Sequence, residues 1–89
     1  MQVYMVERTL KHISMDELSG AQAAAIDKAV EMTTSGEAIR YLRSTYVPGE
    51  GRCMCLFEAN SENAVKRLND KIQVPYDKVT SALDLTPAN

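Results

Sequence analysis

Tryptophan is absent from this 89-residue chain, histidine and phenylalanine occur once each (His12, Phe57), and cysteine occurs only at Cys53 and Cys55. One imidazole per chain excludes a histidine-rich metal site built from a single copy. An excess of basic charge is also missing. Ten Lys and Arg against twelve Asp and Glu leave a net charge of -2, which gives no electrostatic footprint for nucleic acid or for an anionic membrane surface. No run approaches the roughly 18 apolar residues of a membrane span. Met1 to Lys11 has Glu7, Arg8 and Lys11 interleaved and lacks the apolar stretch of a secretory signal, so the expected setting is the cytoplasm.

What is present is an ordinary globular composition, 45% hydrophobic and 25% charged, well outside the disordered range. A chain this short is one domain's worth, residues 1–89, and buries only about 60 to 65% of its unfolded surface, so association would add to a thin core. Gln2–Thr9 (QVYMVERT) alternates as a strand, with Val3, Met5 and Glu7 on one face and Tyr4, Val6 and Arg8 on the other. Ser14 and Glu17 form a capping-box pattern that starts a helix. Its apolar stripe is Leu18, Ala21, Ala25, Ala29 and Met32, widened by Ile26 and Val30, and TTSG at 33–36 stops it. Ile39–Val47 and Arg52–Glu58 read as a hairpin about the PGEG turn. Ser61 caps a second helix with Ala64, Val65, Leu68 and Ile72 inward and NDK at 69–71 in solvent; Lys78–Leu85 is a last strand, and Thr86–Asn89 a loose tail.

The order β-α-β-β-α-β with a central hairpin predicts an α+β, ferredoxin-like fold: a four-stranded antiparallel sheet with both helices on one face. The first and third strands are then central, and both are apolar on both faces. No loop is long enough to cover the open side. An apolar face of that kind predicts a homodimer, two sheets packed through their open faces as a dimeric α+β barrel.

The chain resembles a family of small dimeric ferredoxin-like proteins, a domain-of-unknown-function family that includes nickel-binding members. The resemblance is carried by YMVERT at 4–9, YLRSTYV at 41–47, GRCMCLFEA at 51–59, ANSENAV at 59–65 and VPYDKVTSAL at 74–83. It implies the same fold, a homodimer, and binding of nickel or another divalent transition metal, or of a small ligand. Members of the family often carry Trp and His in the second strand, where this chain has Tyr41 and Arg43, and Pro near the second helix start, where it has Asn60 and Glu62.

Nickel and zinc accept imidazole and thiolate, so Glu7, His12, Cys53 and Cys55 are the candidate metal ligands. The alternative for the cysteines is two core thiols, since free cysteine is among the most buried residue types. On a strand their Cα atoms lie about 6.6 Å apart with parallel side chains, which suits a disulfide poorly and points to free thiols.

Other chemistries find less support. The loop before the first helix, LKHIS, lacks the cysteines of a copper chaperone, and Arg52 and Met54 stand where RNA-binding relatives of this fold need rings. An acid or base for catalysis would come from Glu7, His12, Tyr46 or Glu58, but none forms a constellation with a nucleophile. The plain reading of Glu7 is a rim carboxylate paired with Arg43, Arg52 or a partner chain, and that of the four tyrosines is core or interface rings. The reading is therefore a non-catalytic metal- or ligand-binding protein, with a small-molecule enzyme or an interaction and sensing module as alternatives.

Overall fold

A computed structural model describes residues 1–87. Its elements are β1 (Gln2–Thr9), α1 (Met15–Thr34), β2 (Ile39–Val47), β3 (Arg52–Ala59), α2 (Glu62–Ile72) and β4 (Lys78–Ala82). The strands form one antiparallel sheet in the order β2-β3-β1-β4, so the fold is the expected ferredoxin-like α+β arrangement with β1 and β3 central. Among the described residues no helix is long and apolar enough to cross a membrane.

Local chemistry sets the element ends. Ser14 Oγ accepts from Glu17 N–H, and the Glu17 carboxylate accepts from Ser14 N–H, closing both halves of the capping box. Ser61 Oγ accepts from Ala64 N–H at the start of α2, and Gln73 ends that helix in the left-handed region. Gly51 closes the β2–β3 turn at φ +68, and a Cβ there would stand 2.9 Å from Lys11 Cα, so only glycine fits against the chain leaving β1.

The core lies between the sheet and the helices. Tyr4 and Val6 of β1 and Cys53, Cys55 and Phe57 of β3 face Ala25, Ala29 and Met32 of α1 and Ala64, Val65 and Leu68 of α2. Ile26 and Val30, expected to widen the buried stripe of α1, are exposed instead. The small alanines bring only a narrow line of the helix onto the sheet, and residues one position round the cylinder miss it.

Two further expectations are corrected. Asn69, placed in a solvated face by its polar neighbours, is fully buried on α2. Strand β4 ends at Ala82 rather than Leu85: Ala82 already pairs with Val3, so almost no β1 remains to pair beyond it. The chain then leaves the sheet, and Asp84 forms an ion pair with Arg43 of β2, on the opposite edge. The segment after β4 thus turns over the face opposite the helices, which the loops alone were expected to leave bare. Leu83 and Leu85 are exposed on it. Of the expected loose tail, Thr86 and Pro87 lie outside any element, while residues 88 and 89 fall outside the described residues.

Candidate functional site: a cavity between helix α1 and the sheet

A cavity of about 160 Å³ lies between the N-terminal half of α1 and the helix-facing side of β1, β2 and β3. Leu18, Ala21 and Ala25 of α1 form one wall, and Leu10, Ile72 and Val74 close another. The space exists because α1 presents alanines where longer side chains would meet the sheet. Exposed Met15, Ser19, Gln22 and Ser44 also line it and mark where it opens to solvent.

The polar groups come from three strands and from Ser19 and Gln22 of α1. A register shift between Tyr41 and Arg43 makes Leu42 an extra residue in β2. Strict alternation would send Ser44 to the face opposite Tyr41. The bulge restores it to the same face, opposite Cys55, as bulges do when they re-aim a side chain. A directed chain of hydrogen bonds follows. Gln22 Nε2 donates to Tyr41 Oη at 3.1 Å, Tyr41 and Ser44 hydroxyls bond at 2.6 Å, and Ser44 Oγ donates to Cys55 Sγ at 2.9 Å. Because Ser44 spends its proton on sulfur, Tyr41 must be the donor between the hydroxyls. Cys55 Sγ lies 3.8 Å from Cys53 Sγ, and Tyr46 Oη donates to Leu10 O at 3.0 Å nearby. The Tyr41 ring packs edge-on against Phe57, with centroids 5.5 Å apart.

Arg8 is the charged member of the lining and is only 4% exposed. Its Nη2 donates to Asn69 Oδ1 at 2.6 Å, and its Nη1 to Val74 O at 3.2 Å and Pro75 O at 3.4 Å, just past the C-terminal end of α2. These acceptors are neutral, and the helix terminus adds partial negative charge. Its Nε–H is buried without an acceptor. Sequence reading placed Arg8 on the face of Tyr4 and Val6 but did not treat it as a site residue. The available signal was a formal charge in the alternation of a core face.

The four residues named as metal ligands are dispersed. Cys53 and Cys55 are buried free thiols on the helix-facing side. Glu7 is on the other face of the sheet, between Arg52 and Lys78 at 3.4 and 3.3 Å. His12 is exposed in the loop after β1, at φ +65. Among the described residues no three His, Cys, Asp or Glu side chains converge as a metal site. Burial, with Cys55 alongside, pushes the Cys53 thiol up from 9.0 to about 12, against thiolate formation. The donor set therefore does not fit a nickel ion held within one chain.

Comparisons with known proteins agree with the fold. Residues 4–81 match the family described as nickel responsive protein, SCO4226-like. The crystal structure of SCO4226 from Streptomyces coelicolor A3(2) is similar at a TM-score of 0.79 and 20% identity, covering 94% of this chain and 99% of that one, which supports the shared fold. No curated protein matches the sequence. With the match spanning almost the whole of the sheet and both helices, the chain belongs to the SCO4226-like family of nickel responsive proteins.

Proposed function

We propose that this protein is a small, non-catalytic, cytoplasmic ligand-binding homodimer whose site is the cavity between α1 and the sheet. The observation that carries the reading is the cavity itself: a largely apolar space whose lining also includes a guanidinium, four hydroxyls, an amide and two thiols. Apolar walls with a few convergent polar groups are the usual make-up of a small-molecule site. A Cys53 thiol held protonated at neutral pH argues against a thiolate nucleophile at this site. Free buried thiols suit a reducing compartment.

The dimer is supported by the face opposite the helices. Val3, Met5, Met54 and Leu56 lie half-buried there on the two central strands, with Glu7, Arg52 and Lys78 at their rim and Leu83 and Leu85 exposed beside them. A second copy would cover this apolar centre.

The test is native mass spectrometry together with amide NMR titration. A dimer mass, and toluene-induced shifts at residues of α1, β2 and β3 around the cavity that vanish in Ala21→Leu, are expected. A saturable nickel increment that is lost in Cys55→Ser would replace this reading with metal binding at the thiols.

A further inference from the structure

Arg8 poses a problem of charge. A buried guanidinium is ordinarily paired with a carboxylate, because neutral acceptors satisfy its N–H groups without cancelling its charge. None of the ion pairs among the described residues includes Arg8. Acids adjacent in the chain to Arg8 or to its acceptors have other partners. Glu7, its neighbour on β1, pairs with Arg52 and Lys78 across the sheet. Asp70 accepts from Tyr76 Oη at 3.2 Å, and Asp77 accepts from Thr9 Oγ1 at 3.0 Å. What adjoins Arg8 instead is the cavity, and its Nε–H remains without an acceptor.

We infer that the cavity binds a small amphiphilic monocarboxylate, with the carboxylate completing the charge of Arg8 and a single ring or short branched chain filling the apolar space. This rests on the reading of the cavity as a ligand site and adds the class of ligand. Size sets the apolar part. A closed apolar cavity of about 150 Å³ holds benzene, and this one is about 160 Å³. A ring of that size fits inside, whereas most of a long acyl chain would be left outside the opening. Charge sets the headgroup. With one cation in the lining, a monoanion gives a neutral buried pair, whereas a second negative charge would be left unpaired. Entry is from the side of Met15, Ser19, Gln22 and Ser44, the exposed members of the lining.

The chain holds a position at which this can be tested without removing Arg8. Asn69→Asp changes an amide already bonded to Arg8 Nη2 into an internal carboxylate that competes with the ligand for the same charge. The experiment is calorimetric and amide NMR titration with benzoate and its neutral isostere benzamide, on wild type, Asn69→Asp and Ala21→Leu, each checked for fold by its amide spectrum. Wild type should bind benzoate about tenfold or more tighter than benzamide, the scale of one charge-assisted hydrogen bond. Asn69→Asp should bring the two probes close to parity, and Ala21→Leu should lose both. Equal affinity of benzamide and benzoate for wild type, a comparison that needs no variant, overturns the carboxylate assignment and leaves the ligand cavity standing. Undiminished preference for benzoate in folded Asn69→Asp overturns it too. Binding of neither probe, nor of toluene, overturns the ligand reading as well.

Discussion

Arg8 and Asn69, 61 positions apart in the sequence, meet through a 2.6 Å hydrogen bond in the interior, and Asn69 Nδ2 donates in turn to Val65 O at 2.8 Å. The amide thus couples the guanidinium of β1 to the backbone of α2. Asn69→Leu keeps the volume but leaves a buried charged donor short of an acceptor. It should lower unfolding stability by about 2 to 3 kcal/mol, read from the urea midpoint.

Gly51 and Gly49 occupy the same turn with different surroundings. Gly51→Ala forces an L-residue to φ +68 against Lys11, while a Cβ at Gly49 meets nothing within 4 Å. The first substitution should cost more than the about 1 to 2 kcal/mol of the left-handed conformation alone. The second should stay within about 0.5 kcal/mol. Parallel thermal melts of the two variants check the contrast.

Removal of the Ser14 hydroxyl breaks one arm of the capping box, since it accepts from Glu17 N–H at 3.1 Å. Ser14→Ala should destabilise the protein by about 1 kcal/mol, while Ser14→Thr, which retains an acceptor, should lose much less. Denaturant titrations measure both.

The Cys53 thiol titrates at about 12 when folded, against 9.0 when unperturbed, because burial and Cys55 oppose its ionisation. The folded state therefore keeps a proton that the unfolded chain releases, and the unfolded state gains ground once the pH passes 9. Stability from this group is complete below about pH 9 and declines from there toward pH 12. Melting temperature should fall over that window in wild type and fall less steeply in Cys53→Ala. At pH 8 the thiol should react with disulfide reagents far more slowly in the folded protein than in urea.

Much of the fold was legible in the residues. The alternation of QVYMVERT, the Ser14–Glu17 pair, the PGEG turn and the cap at Ser61 each specify a local conformation by steric or hydrogen-bonding rules acting within a few residues. Their order then leaves few topologies. Less of the site could be read. Cys53 and Cys55 do line the cavity, but Glu7 and His12, grouped with them for their donor chemistry, lie on another face and in a loop. Donor type carries no information about which side of a sheet a side chain takes, and parity along β1 separates Glu7 from Arg8.

The sequence by itself determined the elements, their antiparallel order and the family, because capping, turn geometry and hydrophobic period are short-range properties. Only the tertiary structure decided where polar groups converge. The bulge at Leu42 turned Ser44 toward Cys55, the packing of α2 on the sheet buried Asn69 against Arg8, and the alanines of α1 left a space beside them. Each of these depends on how two elements far apart in the chain meet. Burial, which sets the electrostatic demands of a guanidinium or a thiol, is created only by that meeting.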